Sequence, residues 1–176
     1  MAVNSAVGIV EQVQIMERNK ATRGSFGKAM PLPASRARLP FQRAFSQAEY
    51  DQIAWGLIPL QMEDKWFIFL EADCLYFHRS WTGICVYQVA FATRDGAAVV
   101  TEALVNRDRS QYRGADDAYE AALLAFLIDN FLLGRRTPFP KPKHLPATAP
   151  AGLYQHHISG SGYPETEFRD SENERN

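Results

Sequence analysis

Apolar residues recur at helical intervals just after the first quarter of the chain. Ser46 and Glu49 have the spacing of a capping box, in which both side chains satisfy backbone donors at the start of a helix. The apolar positions that follow share one helical face. We therefore predict a helix over Gln47–Leu57, which Gly56 and Pro59 would end.

The apolar pattern changes to that of strands between Lys65 and Asn106. This stretch is rich in β-branched and aromatic residues, with turn residues at hairpin intervals. One of the turns contains Asp95-Gly96, a dipeptide that favours tight hairpins. The pattern predicts four antiparallel strands in a meander. They are Lys65–Leu70, Cys74–Ser80, Gly83–Ala92 and Ala98–Asn106.

A second, more apolar helix is predicted from Asp116 or Asp117, where Asp117 and Glu120 have the spacing of cap chemistry, to Leu133, just before Gly134. Its apolar residues cover more than one narrow stripe, so it would lie across the sheet or form a second interface, such as that of a homodimer. The predicted fold class is α+β, with two layers. A four-stranded antiparallel meander is flanked by two helices in the order α-β-β-β-β-α.

Proline positions suggest the limits of the packed domain, because proline is excluded from helix interiors and central strands. Nine of the ten prolines lie towards the two ends of the chain, so we place a single domain at residues 41–140. Residues 1–40 are predicted to be a basic arm, with a short docked helix over Asn4–Asn19. Residues 141–176 are predicted to be a proline-rich connector and an acidic, disordered tail that begins at Ile158.

Charge is unevenly distributed along the chain. From Arg18 to Ala48 there are seven cationic residues and no acidic one, a run typical of a solvated arm and less often of a contact with an anionic partner. The whole chain, however, has 19 basic and 20 acidic residues among 176, which argues against a surface built to bind nucleic acid.

Composition also bears on the compartment and on cofactors. No apolar stretch approaches the roughly 18 residues of a bilayer span, and no secretion signal is recognised, so we expect a cytoplasmic protein without a membrane partner. Cys74 and Cys85 lack the spacing of metal ligands, and neither a metal nor another cofactor is expected.

Four strand ends meet at one edge of the predicted sheet, because neighbouring strands of a meander run in opposite directions. Polar side chains and one tryptophan collect there. They are Glu63, Asp64 and Lys65; His78, Arg79, Ser80, Trp81 and Thr82; and Asn106, Arg107 and Asp108. This set either forms a ligand pocket or consists of the polar turn residues found at strand ends in most domains.

In a ligand pocket, Arg79 and Arg107 would hold phosphate and Trp81 would stack on a ring. The carboxylates and Asn106 would fix a ribose or a base. An enzyme would use His78 as an acid or base beside Ser80 or Cys85, but no nucleophile, base and orienting group can be named together.

The turn at Trp81-Thr82 sets the register of the two strands it joins. If it is a two-residue turn, His78 faces Cys85 and Tyr76 faces Tyr87. These four residues then share one face of the sheet, which is either a ligand platform or a seat for the basic arm. In that register Cys74 and Cys85 lie too far apart for a disulfide, so both thiols should be free.

Three segments, Met62–Ile68, Leu75–Gly83 and Val105–Asp108, resemble a poorly characterised bacterial domain family. Its members occur as small stand-alone proteins and beside ADP-ribose-handling domains such as ADP-ribosylglycohydrolases. The resemblance covers residues 45–140 and implies no catalytic residue.

Two functional hypotheses follow. The first is a non-catalytic ligand-binding or accessory module that recognises an anionic, nucleotide-like group such as ADP-ribose at one end of the sheet. The second is a protein that binds a partner protein, such as an immunity, antitoxin or anti-defence factor, because Trp, Tyr, Phe and Arg lie close together in this chain.

Overall fold

Six strands and two helices form a mixed α+β fold in the computed structural model, which describes residues 19–143 and Ile158. A short 3₁₀ turn over Arg23–Ser25 precedes them, and a π-helical turn over Ile128–Leu132 follows them. In chain order the elements are β1 (Arg36–Arg38), β2 (Ala44–Ser46), α1 (Gln47–Ile53), β3 (Trp66–Glu71), β4 (Cys74–Arg79), β5 (Cys85–Arg94), β6 (Ala97–Asn106) and α2 (Asp117–Leu127).

The four long strands, β3 to β6, pair antiparallel with their neighbours along the chain. The α+β class and the antiparallel sheet are therefore confirmed. The prediction of four strands was wrong, because β1 and β2 both pair with the free edge of β6. Each of these two strands has only three residues, too few for a period-two pattern to be recognised in the sequence.

Much of the predicted basic arm belongs to the packed structure. Ala21 is fully buried, and its backbone N–H donates to the Trp55 carbonyl at 2.9 Å. Three cations of the basic run from Arg18 to Ala48 form ion pairs: Arg23 with Glu71, Arg38 with Glu102 and Arg43 with Asp129. The packed unit therefore begins ahead of residue 41. The acids that neutralise this run lie far away in sequence, which is why the run alone suggested a solvated arm.

The two faces of the sheet are covered differently. One face packs against α2 in the main core, which includes Phe77, Tyr87 and Leu124. The other face carries Phe67 and Phe69, which pack with Ala21 of the arm and partly buried neighbours. Of the two alternatives for this face, the structure shows a seat for the arm.

A β-bulge next to His78 changes the predicted register. His78 is opposite Cys85, as predicted, but Phe77 rather than Tyr76 is opposite Tyr87. The extra residue in β5 rotates Tyr87 onto the face of the main core. The expectation that Tyr76 faces Tyr87 on the arm side was therefore wrong. Cys74 and Cys85 are both free and buried, as predicted.

Both helices begin with side-chain caps, as predicted. Helix α2 continues as the π-helical turn to Leu132, one residue short of the predicted end, whereas α1 ends earlier than predicted. Ser46 and Glu49 form the capping box of α1, and the Asp116 side chain caps α2. Helix α1 ends at Ile53, because Gly56 turns the chain with a φ of 63° and Leu57 then bridges to Ile68 of β3.

Parts of the predicted ends lie outside the described residues: the N-terminal helix except Asn19, the connector beyond Lys143, and the tail after Ile158. Ile158 itself is buried in the main core, as is Phe139. The expectation of disorder was therefore wrong for Ile158.

Candidate functional site

The four strand ends do meet at one edge of the sheet, since Trp66 is opposite Arg79 and Tyr87 is opposite Val105. Their side chains, however, do not point into one pocket. His78 lies on the arm side of the sheet, whereas Arg79 lies on the side of α2, because successive residues of a strand face opposite ways.

Several of the predicted site residues stabilise the turns in which they lie. The Asp64 carboxylate accepts hydrogen bonds from the backbone N–H groups of Leu60 and Gln61. Thr82 and Asp108 act in the same local way: Thr82 accepts from the Ile84 N–H, and Asp108 accepts from Ser110. Ser80 instead donates to the Asp64 carbonyl and so joins the turn after β4 to the loop before β3. Glu63 is exposed on the loop before β3.

Asn106 and Arg107 are also engaged within the protein. Asn106 is fully buried, and its amide donates to the Cys85 carbonyl at 2.9 Å and to the Gln111 side chain at 3.0 Å. Arg107 donates to the Gly114 carbonyl at 2.8 Å and forms an ion pair with Asp117. These contacts fold residues 107–117 over the end of the sheet.

His78 is held as a neutral, buried ring. It is 2% exposed, lies parallel to Phe69 with ring centroids 5.6 Å apart, and its Nε2 is 3.0 Å from the Met30 carbonyl. Its Nδ1 is buried and has no hydrogen-bond partner among the described residues. Burial is the main cause that lowers the pKa of His78, and the charge of Arg23 adds to it.

This environment predicts a loss of stability in acid. The unfolded chain protonates His78 below about pH 6.5, whereas the native state resists protonation, so the free energy of unfolding should fall as the pH drops below that value. The slope for one group is at most about 1.4 kcal/mol per pH unit. Urea unfolding between pH 7.5 and 5 would measure it.

His78→Gln is the matched control, because glutamine keeps a donor for the Met30 carbonyl and does not titrate. The difference in the free energy of unfolding between the wild type and His78→Gln should become smaller towards acid pH. If the free energy of unfolding falls equally with pH in both proteins, groups other than His78 cause the loss of stability in acid.

Cys85, opposite His78, is a poor nucleophile in this structure. Its Sγ donates to the Tyr87 carbonyl at 3.5 Å, and burial raises the pKa of the thiol to about 12. At neutral pH it is therefore a thiol, not the reactive thiolate.

Arg79 is the predicted site residue with the most unusual environment. Its guanidinium is partly buried, lies 4.5 Å from the centre of the Trp66 ring, and donates to the Ile158 carbonyl at 3.0 Å. Among the described residues, no carboxylate lies within ion-pair distance of it. Burial lowers the pKa of Arg79, which reflects the free-energy cost of its charge in this position.

A second buried group, not predicted from the sequence, lies near Arg79. Glu120 is 1% exposed and accepts hydrogen bonds from the hydroxyls of Tyr87 and Tyr112, the latter at 2.8 Å. Burial raises the pKa of its carboxyl group. The sequence signal was an acidic residue on an apolar helix, three positions before Leu123, but its place in the first turn was interpreted as cap chemistry.

Arg79 and Glu120 line one cleft at the end of the sheet, with a volume of about 530 Å³. Tyr112 and Tyr119 contribute rings to it, and Arg113 and Lys143 contribute two more cations. Trp81 does not line this cleft. Arg79, which has no carboxylate at ion-pair distance among the described residues, lies here beside aromatic rings and the buried carboxylate of Glu120. This combination suits a ligand that has both an anionic group and a ring.

Comparison with known proteins returned no match, whether to family models, to curated protein sequences or to solved structures. The candidate site therefore rests on its own geometry. Within the part of the chain that the structure describes, no helix has the length and apolar character required to cross a membrane. Residues 19–143 and Ile158 also contain no cluster of three or more His, Cys, Asp and Glu side chains that could hold a metal ion.

Proposed function

We propose that this protein is a small ligand-binding or accessory module, without catalysis of its own, that recognises an anionic, nucleotide-like molecule in the cleft at Arg79. The observation that carries this proposal is the position of Arg79. Its charge is partly buried with no carboxylate at ion-pair distance among the described residues, and buried charges in proteins are as a rule paired.

The Ile158 carbonyl supports this assignment. A carbonyl oxygen is a neutral acceptor, and here it takes one guanidinium N–H at 3.0 Å and also the Trp66 indole N–H at 3.0 Å. Arginine has five N–H donors in a planar fork that matches the oxygens of phosphate or carboxylate. An anionic oxygen at the cleft would therefore accept hydrogen bonds from guanidinium donors that have no partner among the described residues.

The rest of the cleft fits the remaining parts of a nucleotide. Tyr112 and Tyr119 line the cleft, so we assign to these aromatic residues the stacking role that was predicted for Trp81. Arg113 and Lys143 lie on exposed parts of the lining and add positive charge at its rim. The volume of about 530 Å³ lies within the range of small-molecule sites. ADP-ribose is the leading candidate, as the resemblance in sequence suggests.

The test measures the thermal unfolding temperature with ADP-ribose, ADP, AMP, adenosine, NAD and inorganic phosphate. A ligand at a hundredfold excess over its Kd should stabilise the native state by about 2.7 kcal/mol. Arg79→Gln keeps a donor for the Ile158 carbonyl but removes the charge. Because charged hydrogen bonds contribute about 1.5–3 kcal/mol, this change should weaken binding by roughly 10- to 100-fold.

Arg38→Gln is the control, since Arg38 is an exposed arginine of β1 that pairs with Glu102 and does not line the cleft. Arg113→Gln, at an exposed position, tests the cleft if Arg79→Gln does not unfold cooperatively. The proposal is wrong if no ligand of the panel raises the unfolding temperature, or if both cleft variants bind as the wild type does.

A further inference from the structure

The part of the arm that covers the sheet forms a hydrophobic cluster of its own. Ala21 is fully buried and packs with Phe67 and Phe69, and the partly buried Phe26 packs on the same cluster. The main core lies on the opposite face of the sheet, under α2. We call residues 21–30, which cover the face away from α2, the docked segment.

The docked segment is joined to the rest of the protein by a backbone hydrogen bond at each end. The Ala21 N–H donates to the Trp55 carbonyl at 2.9 Å, and the Met30 N–H donates to the Gly83 carbonyl at 2.9 Å. A segment that is held by a small apolar cluster and by hydrogen bonds at its ends can open locally while the rest of the protein stays folded.

His78 lies under the docked segment and donates a hydrogen bond to it. The Met30 carbonyl can only accept, so the Nε2 of the neutral His78 ring carries the proton and donates at 3.0 Å. The Nδ1 atom is then an unprotonated nitrogen, which is buried and has no hydrogen-bond partner among the described residues. A second proton on the ring would leave a buried N–H donor at this position without an acceptor, which destabilises the docked state.

In the described part of the chain, the side chains around His78 do not offset a positive charge on its ring. The charged and titratable side chains on the elements that surround it are Arg23 and Lys28 of the docked segment, Glu63, Asp64 and Lys65 of the loop before β3, Glu71 of β3, Cys74 and Tyr76 of β4, and Cys85 of β5. None of these acids lies at ion-pair distance from His78.

The nearby acids have other partners or are exposed. The Glu71 carboxylate pairs with Arg23, the Asp64 carboxylate accepts from backbone N–H groups of its own loop, and Glu63 is exposed. Arg23 adds a positive charge above the same face, with its guanidinium 5.2 Å from the centre of the Phe69 ring. The docked state therefore disfavours a charged His78 both by burial and by the charge of the docked segment itself.

We propose that the docked segment is a pH-sensitive switch, in which protonation of His78 favours the release of residues 21–30 from the sheet. In the released state water reaches both ring nitrogens, so the charged ring no longer lacks hydrogen-bond partners. The face that carries Phe67 and Phe69 is then exposed, while the main core under α2 stays packed. The Arg79 cleft lies on the other side of the sheet, so the test of this switch needs no ligand.

Proton linkage sets the size of the expected effect. The pKa of His78 has its ordinary value of about 6.5 in the released state and is lower in the docked state. Below pH 6.5 the released state binds more protons, so its population rises relative to the docked state as the pH falls. The equilibrium constant for opening should therefore increase by up to about 30-fold between pH 7.5 and pH 5.

Three neighbouring groups keep their charge state between pH 7.5 and pH 5. Glu71 stays charged, because the hydrogen bond from Arg23 lowers its pKa. Tyr76 and Cys85 stay neutral, because burial raises the pKa of both groups. A pH dependence of the opening in this interval therefore points to His78 rather than to these neighbours.

The test is hydrogen exchange of single backbone N–H groups in the full-length protein, measured by NMR between pH 7.5 and pH 5. Each rate is divided by the intrinsic exchange rate at the same pH, which gives a protection factor. Ala21 and Met30 report on the docked segment, and Val89, fully buried in the central strand β5, reports on larger openings. Ala21 and Met30 should be less protected than Val89, and their protection should fall by up to about 30-fold towards pH 5.

His78→Gln is the matched control, because glutamine keeps a donor for the Met30 carbonyl and does not titrate. In this variant the protection of Ala21 and Met30 should not depend on pH. The same variant separates His78 from the other three histidines of the chain, which lie outside the described residues. His78→Phe is a second variant that does not titrate. Without the hydrogen bond to Met30 its docked segment should open more readily, but again equally at each pH.

Two outcomes would overturn the proposal. In the first, Ala21 and Met30 are as strongly protected as Val89, so the docked segment opens only when the whole protein unfolds. In the second, the protection of Ala21 and Met30 does not fall towards pH 5 in the wild type, or it falls equally in the variants that do not titrate. His78 would then not control the opening.

Discussion

Gly83→Ala should lower the free energy of unfolding by about 3 kcal/mol, through strain in the turn and a clash with the arm. Gly83 has a φ of 78°, a conformation that residues with a side chain rarely adopt. A Cβ there would lie 1.8 Å from the Lys28 carbonyl oxygen and 2.6 Å from its carbon. These are backbone atoms, so the arm itself would have to move.

Gly96→Ala separates the two causes. Gly96 has nearly the same φ, 76°, but an added Cβ would meet nothing within 4 Å. It should cost only about 1 kcal/mol, the strain of the left-handed conformation. Urea unfolding of both variants gives the difference. If both variants lose the same stability, the close contact between the arm and Gly83 does not contribute.

The same substitution should change the exposure of the arm face. His78 and Phe67 are buried where the arm crosses the sheet. Hydrogen exchange of the backbone N–H of Met30, which donates to the Gly83 carbonyl, should therefore be faster in Gly83→Ala than in Gly96→Ala.

Glu120→Leu should also lower the free energy of unfolding by about 3 kcal/mol, because buried hydroxyls would lose their acceptor. Tyr87 is fully buried and donates to Glu120, and Tyr112 donates to the same carboxylate. The two hydroxyl oxygens are 3.5 Å apart, too far to replace these bonds with a good one between themselves. Urea unfolding at neutral pH measures the change.

The control is the triple variant with Tyr87→Phe and Tyr112→Phe added to Glu120→Leu. The triple variant removes the carboxylate and both hydroxyls together, so no buried donor or acceptor of this set is left without a partner. Replacing all members of a buried hydrogen-bonded set changes the free energy of unfolding little. The triple variant should therefore be more stable than Glu120→Leu alone. A triple variant less stable than the single one would mean that the tyrosine hydroxyls have other partners.

These predictions rest on different parts of the structure, and only some were accessible from the sequence. The capping box at Ser46 and the turn at Asp95-Gly96 are local signals, and both elements form as predicted. The strands β1 and β2 were not predicted, because each has only three residues. The sequence of β1, Arg-Ala-Arg, has no strand pattern, and only its pairing with β6 identifies it as a strand.

The candidate site was predicted in part. The meander brings the strand ends to one edge, which follows from strand direction alone. Arg79 and Arg107 looked equivalent in the sequence, yet Asp117 pairs with Arg107 and no acid in the described part of the chain lies at ion-pair distance from Arg79. Glu120 was not recognised as a site residue, because it lies in the first turn of a helix, where acidic residues are common.

The sequence by itself determined the local elements of this protein: where its helices start, where its long strands turn, and which strand ends are neighbours. Capping, turn chemistry and alternation act between residues a few positions apart, so they can be recognised along the chain. The tertiary structure alone decided the rest. The bulge beside His78 placed Tyr87 in the main core, and within the described part of the chain packing left no carboxylate at ion-pair distance from Arg79. The partners of a buried charge are set by distances in space between residues far apart in sequence, and no local pattern contains those distances.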